Sequence, residues 1–155
     1  MREPAVFDTV VAEHRGRVYV PFPLDPDRLW GAKPRHRLGG TLDGMKFRGI
    51  IESFGGELGL SLGPAWRREC GLGPGSAIKV RLAPEGPLRE GLDADIAAAL
   101  DAEPKAGEFF DGLAQFYRKA WLKWIDGTKR RPDERARRIA EMVAHLEAGR
   151  KAREA

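Results

Sequence analysis

The chain changes its pattern near Pro104, and this change limits what it can fold into more than any other feature. Before that residue, apolar and polar side chains alternate and are interrupted by Gly and Pro, as in short strands. From Lys105 onward, apolar residues recur every three or four positions, as on amphipathic helices. The pattern predicts an α+β fold, with a small double-split-like β-barrel and short capping helices followed by a helical C-terminal module. We place the boundary in the Pro84–Pro87 linker, which gives a barrel domain over 1–86 and a helical module over 87–155.

The surplus of positive charge belongs to the helical part. Residues 105–155 hold 13 Lys and Arg against 8 Asp and Glu, whereas the preceding residues hold 14 against 15. A net charge of +4 permits acidic partners but does not require nucleic acid. No apolar run approaches the roughly 20 residues of a membrane span, and the first residues, 1–4, lack the apolar segment of a secretory signal. We therefore expect a cytoplasmic protein that does not insert into membranes.

Asp43-Gly44 is the strongest local signal, because this pair is the preferred sequence of a two-residue hairpin turn. Side chains alternate between the faces of a strand, so the turn fixes which residues share a face. It predicts His36 on the core face and Arg35 opposite Glu52. The outer face then holds three cations without an opposing acid: Arg37, Lys46 and Arg48.

Other strands and helices follow from the same signals. Asp25-Pro26 predicts a short helix through an N-cap and a proline at the first helical position, and Gly71 predicts a left-handed helix end. The alternating segments predict six strands in all. In the helical module, Pro104 and Pro132 each start a helix, and the last helix turns an apolar line toward the core: Ile139, Met142, Val143 and Leu146.

The basic run at the start of the last helix is the second candidate anion site. Asp133 and Glu134 precede Arg137 and Arg138 by four residues, which is the favourable order for helix ion pairs and predicts local neutralisation. Arg135 has no such partner, so it reaches an acid or carbonyl on another element or else binds an anionic ligand. The candidate ligand-binding residues are Arg37, Arg48, Lys129, Arg131 and Arg135.

Helical aromatics offer a further alternative, a platform on which nucleic-acid bases stack beside Arg118, Lys119 and Lys123. Aromatics at helical spacing more often face a core, and that interpretation is favoured here. It assigns one apolar stripe to the core: Leu113, Phe116, Tyr117, Ala120, Trp121, Trp124 and Ile125.

No catalytic, metal or cofactor pattern is recognisable in the sequence. His14, His36 and His145 lie on separate elements, and Cys70 is the single cysteine. The glycine-rich stretch 71–75 precedes a strand rather than a helix, so it lacks the helix N-terminus that a phosphate loop requires. We therefore expect no metal, no cofactor and no enzymatic activity, and we rank an enzyme without a recognisable motif last.

Two stretches carry a family resemblance. The segment 30–37, with Gly40–Gly44 and Phe47–Gly49, resembles the small bacterial β-barrel domain of unknown function. Residues 93–151, which include Phe109-Phe110, Trp124-Ile125 and the run from Arg135 to Ile139, resemble the YdeI/OmpD-associated, or bacteriocin-protection, family. A weaker likeness joins residues 60–76 to AbrB-type regulators, which are dimers that bind DNA.

The resemblance implies a non-enzymatic binding protein that protects against antimicrobial peptides or other toxic ligands. Its partner would be a small molecule or a peptide, and the chain would be a monomer or a homodimer. The alternative is a nucleic-acid-binding protein related in barrel topology to the AbrB-type regulators, although the small charge surplus predicts weak nucleic-acid binding at best.

Overall fold

The structure is a computed structural model, and it describes residues 3–153. The chain forms two compact units, the first ending at Glu85 and the second beginning at Gly86. The first is a curled antiparallel sheet and the second consists of helices, which confirms the predicted α+β class. Within the described residues, none of the helices combines the length and apolarity that crossing a bilayer requires.

Seven antiparallel strands and two short helices make up the first unit. Its sheet has the order β1-β7-β4-β5-β6-β3-β2. The strands are β1 (Ala5–Val10), β2 (Ala12–His14), β3 (Arg17–Pro21), β4 (Arg37–Leu42), β5 (Met45–Phe54), β6 (Glu57–Ser61) and β7 (Ala77–Pro84), and the helices are α1 (Pro26–Trp30) and α2 (Pro64–Cys70).

The sheet curls into a half-barrel because its two edge strands, β1 and β2, are consecutive in the chain. Only Val11 separates them, and its backbone is hydrogen-bonded to the loop before β7 rather than to a neighbouring strand. The Val11 N–H donates to the Ser76 carbonyl at 2.9 Å, and the Val11 carbonyl accepts from the Gly75 N–H at 2.8 Å. The sequence predicted one strand through this region. The bend at Val11 divides it into two, which raises the number of strands from six to seven.

The predicted hairpin is confirmed in register as well as in turn. Leu42 pairs with Met45 across the turn, and Asp43 and Gly44 have φ values of 48° and 81°, both positive as a type I′ turn requires. His36 is buried, as predicted. The predicted pairing of Arg35 with Glu52 is wrong, because β4 begins only at Arg37 and the Glu52 carboxylate contacts Arg17 at 3.3 Å instead.

The first core fills the inside of the curled sheet. Asp25 caps α1 by accepting the Asp27 N–H at 3.0 Å, and Gly71 ends α2 with a φ of 69°. These caps hold α1 and α2 at positions where Trp30 and Trp66 pack on the strands. The largest fully buried side chains of this unit are Trp30, Leu38, Leu42, Leu60, Leu82 and Val11.

The second unit contains a 3₁₀ turn, Arg89–Gly91, and four helices around their own core. Ile139, Met142, Val143 and Leu146 are buried, as predicted. These helices are α3 (Ala94–Ala102), α4 (Pro104–Gly112), α5 (Gln115–Asp126) and α6 (Pro132–Glu147).

The apolar stripe predicted for α5 is wrong at Phe116 and at Ala120, both of which are exposed. Phe116 is 73% exposed, whereas Arg118 is only 3% exposed. Arg118 is buried because its guanidinium donates to three backbone carbonyls. Two are at the end of α4, those of Asp111 at 2.8 Å and Leu113 at 2.9 Å, and the third is that of Pro87, before the 3₁₀ turn, at 3.1 Å. A buried cation that donates to backbone carbonyls is therefore found on the helix where periodicity predicted a buried aromatic ring.

Candidate functional site

A pocket on the outer face of the sheet brings together two of the five candidate cations. It is lined by Arg37, Arg48, Gly49, Ile50 and Glu85 and has a volume of about 170 Å³. The register creates it: Arg37 pairs with Ile50 across the hairpin, and the Glu85 N–H donates to the Arg37 carbonyl at 2.8 Å. The pocket is therefore formed by residues of β4 and β5 and by the residue that follows β7.

Glu85 orients Arg48 on one side of the pocket. Its carboxylate accepts from Arg48 Nε at 2.6 Å and Nη2 at 2.9 Å, and its own side chain is only 8% exposed. This bidentate bond raises the pKa of the Arg48 guanidinium. The expectation that Arg48 lacks a compensating acid is therefore wrong, because the acid comes from the residue after β7 rather than from the hairpin.

Arg37 lies on the other side, in an environment that disfavours its positive charge. Partial burial lowers the pKa of its guanidinium, and the neighbouring Arg35 and Arg48 lower it further, although Glu85 opposes them. Arg35 and Arg48 therefore lie close enough to Arg37 to disfavour its charge, and Glu85 offsets only part of their effect. An added anion beside Arg37 would relieve this repulsion, which makes the pocket chemically suited to a carboxylate or phosphate group.

Strand β7 extends the basic surface beyond the hairpin. Arg81 pairs with Thr41 of β4, which in turn pairs with Lys46 of β5, so these side chains form one row across the outer face. Lys79 and Arg81 are exposed. Sequence reasoning missed these two cations because nothing local to the hairpin indicates that β7 pairs with β4. On β1, Asp8 lies opposite Lys79 and supplies an acid at the rim.

The remaining candidate residues lie in the second unit. Lys129 and Arg131 are exposed in the turn that precedes α6. Arg135 donates to both carboxylate oxygens of Asp95, through Nε at 2.6 Å and Nη2 at 3.0 Å, and its Nη2 also reaches Asp93 at 3.0 Å. Of the two roles predicted for Arg135, the structure thus shows the contact with acids on another element.

Two members of the basic run, Arg137 and Arg138, pair with acids within α6, as predicted, although Arg137 has a different partner. Arg138 pairs with Glu134 four residues earlier at 3.3 Å. Arg137, for which the sequence predicted Asp133, contacts Glu134 and Glu141 instead. Hydrogen bonds from Arg137 and then Arg138 lower the pKa of Glu134 to about 2.

His36 is a buried histidine with one polar partner. Its Nε2 lies 2.6 Å from Oδ1 of Asp27 in α1, and its buried Nδ1 has no hydrogen-bond partner among the described residues. Between residues 3 and 153, no three His, Cys, Asp or Glu side chains are grouped as metal ligands would be.

Comparison with known families divides the chain as the fold does. Residues 7–82 match the domain of unknown function DUF1905, and residues 91–149 match the family described as bacteriocin-protection, YdeI or OmpD-associated. A comparison with curated proteins finds no match. The pocket residues Arg37, Arg48, Gly49 and Ile50 lie within the first match, and Glu85 lies just beyond it.

Proposed function

We propose that this chain, which joins a DUF1905 domain to a bacteriocin-protection domain, is a non-enzymatic cytoplasmic protein that binds an anionic small molecule or peptide. The binding site is the pocket between Arg37 and Arg48. One observation carries the proposal: two cations that the sequence marked as ligand-binding line the same pocket, although they belong to different strands.

The chemistry of the pocket favours a carboxylate attached to a short apolar group. Two guanidiniums provide donors in a planar arrangement that matches carboxylate geometry. Ile50 adds apolar surface, and Gly49 also lines the pocket. A volume of about 170 Å³ admits one small group rather than a whole drug-sized molecule. The C-terminal residue of a peptide meets these requirements.

Binding at this site would be weak and sensitive to salt. Arg48 is 66% exposed and is already bound to Glu85. Solvent and this carboxylate therefore reduce the attraction between Arg48 and an added anion. Screening by salt acts over about 10 Å at 0.1 M and weakens such contacts further. For an isolated carboxylate group we expect a dissociation constant of roughly 1 mM at low salt.

Titration of the isotope-labelled chain followed by NMR tests the proposal. The probe is N-acetyl-leucine, and its neutral amide is the control ligand. We expect saturable shifts at the amides of Arg37, Gly49 and Ile50 with the carboxylate only. The shifts should disappear in Arg37→Gln and persist in the matched control Lys46→Gln. Equal shifts with the amide, or none at about 50 mM probe, would refute carboxylate binding at this pocket.

The second candidate function is nucleic-acid binding by the outer face. This face carries, besides the pocket, the cations Lys46, Lys79 and Arg81. Together they offer a phosphate backbone more positive charge than the residues of the hairpin alone. Asp8 and Glu85 offset part of the charge, so we expect affinity no tighter than about 10⁻⁴ to 10⁻⁶ M. Labelled duplex and single strands, titrated at several salt concentrations, test this. Sub-micromolar binding that weakens in Arg81→Ala would favour nucleic-acid binding over the binding of a small anion as the function of this face.

A further inference from the structure

Helix α5 presents an aromatic face, and the segment after α6 lies across it. Tyr117, Trp121 and Trp124 follow one another at helical spacing on this face. Gly149, with a φ of 77°, turns the chain after α6, and Trp121 Nε1 then donates to the Lys151 carbonyl at 2.8 Å. We call residues 151–153 the tail.

Both cations of the tail lie over aromatic rings of this face. Lys151 Nζ is 5.7 Å from the centre of the Tyr117 ring, and the Arg153 guanidinium is 4.2 Å from the Trp124 ring. The faces of aromatic rings attract cations, most strongly in Trp. Within residues 3–153, neither tail cation is paired with a carboxylate, so the rings are their electrostatic partners.

The aromatic face is built independently of the tail. Trp121 is buried and packs edge-on against Trp124 at 5.7 Å and near His145 at 5.5 Å. Arg138 lies 4.9 Å from the Trp124 ring and donates to the Trp124 carbonyl at 2.7 Å. Contacts within α5 and α6 therefore hold Trp121 and Trp124 in position. The tail residues are exposed and lie on this face as an additional layer.

We propose that the aromatic face of α5, formed by Tyr117, Trp121 and Trp124, is a binding site for a peptide segment that carries Lys or Arg, and that the tail occupies this site as an internal competitor. The tail itself shows the ligand chemistry: a short stretch with cations two residues apart and a backbone carbonyl that accepts the indole N–H. This inference is independent of the anion pocket and goes beyond it.

An external peptide can replace the tail because it offers the same contacts. Each cation–ring contact is weak at an exposed position, and the indole hydrogen bond is a single one. A tethered segment nevertheless competes at a high effective concentration. The full chain should therefore bind a cationic peptide weakly, and removal of the tail should strengthen that binding.

The test measures binding of the hexapeptide Lys-Ala-Arg-Lys-Ala-Arg amide, with the Trp121 indole N–H signal in NMR as the site readout. Three proteins are compared: the full chain, the full chain with Lys151→Gln and Arg153→Gln, and a chain ending at Arg150. That end point retains the backbone bonds from Gly149 to Leu146 and from Arg150 to His145 that finish α6. We expect both altered chains to bind the peptide at least about tenfold more tightly than the full chain.

Two ring variants separate the aromatic site from general electrostatics. In the chain ending at Arg150, Trp124→Leu should abolish binding because it removes the ring while retaining an apolar side chain. Phe116→Leu is the matched control, since Phe116 is exposed on the same helix and contacts Tyr117 rather than the tail. Circular dichroism checks that both variants fold.

Several results would overturn the proposal. Equal peptide affinity for the full and shortened chains would show that the tail does not occupy the site. Equal binding of a peptide with Gln in place of Lys and Arg would show that the cations are not recognised. Displacement of the peptide by a single-stranded oligonucleotide at the Trp121 signal would assign the rings to base stacking instead.

Discussion

Arg135 and Asp95, 40 residues apart in the sequence, form a bidentate ion pair with distances of 2.6 and 3.0 Å. The pair joins the first turns of α6 and α3. Hydrogen bonding from Arg135 holds the pKa of the Asp95 carboxyl below its usual range. Because Asp93, the N-cap residue of α3, accepts from the same guanidinium, one side chain ties together the starts of two helices.

Replacing Arg135 should loosen this connection. The Arg135 side chain is 14% exposed, but Asp95 is 51% exposed, so solvent screens part of the attraction. We expect Arg135→Ala to lower the free energy of unfolding by about 1 to 2 kcal/mol. Arg135→Lys should recover only part of this, since an ammonium cannot make the two parallel bonds. Urea unfolding measures the effect, with the exposed Arg130→Ala as control; identical midpoints for Arg135→Ala and the control would contradict it.

Stability should depend on acid through Glu134. Its pKa is lowered from the usual 4.5 to about 2 by Arg137 and Arg138. A carboxyl whose folded pKa is lowered contributes stability above its unfolded pKa, and this contribution is lost as pH falls from about 4.5 to 2. The urea midpoint of the natural chain should therefore fall more steeply across this range than that of Glu134→Gln. Parallel pH profiles for the two proteins would argue against the linkage.

Arg118 should be among the most sensitive positions of the helical unit. The carbonyls of Pro87, Asp111 and Leu113 lose this donor in Arg118→Ala, and acceptors that are wholly or partly buried are costly to leave without a partner. We expect a loss of about 2 to 4 kcal/mol in the free energy of unfolding. Lys119→Ala, which removes an exposed cation from the same helix, serves as the control and should have little effect. A loss in Arg118→Ala no larger than that of the control would show that water replaces the guanidinium.

Gly39 and Gly40 form a matched pair of positions on β4. A Cβ at Gly40 would lie 2.0 Å from the Arg81 carbonyl oxygen, whereas a Cβ at Gly39 would meet nothing closer than 3.9 Å. Because the obstacle at Gly40 is the backbone of β7, Gly40→Ala should cost about 3 kcal/mol or more. Gly39→Ala should stay within about 0.5 kcal/mol of the natural chain. Thermal unfolding distinguishes the two, and equal melting temperatures would disprove the close contact.

For the same two glycines, the sequence predicts the position in the hairpin but not the contact with β7. Their places in the hairpin follow from Asp43-Gly44, because a two-residue turn and a period of two leave no freedom in the register. The position of Gly40 opposite Phe47 suggests that the glycine leaves room for that ring, but a Cβ at Gly40 would meet the backbone of β7 instead. Gly49 lies opposite Leu38, but a Cβ there would lie 3.1 Å from the ring of Phe47 on its own strand.

For the candidate site, the sequence identified two cations but not their surroundings. Arg37 and Arg48 could be assigned to the outer face from the hairpin alone. Glu85, which orients Arg48 from 37 residues away, could not be assigned, and neither could Lys79 and Arg81. These contacts depend on β7 pairing with β4.

The sequence by itself determined the turns, caps, hairpin register and amphipathic helices, because each depends on residues within a few positions of one another. Tertiary structure alone decided how the strands are ordered, which acids Arg48 and Arg135 meet, and that Arg118 rather than Phe116 is buried on α5. Local conformational preferences are encoded in neighbouring residues. The partner of a long charged side chain is instead selected by which distant elements the whole fold brings within reach, and no local pattern records that choice.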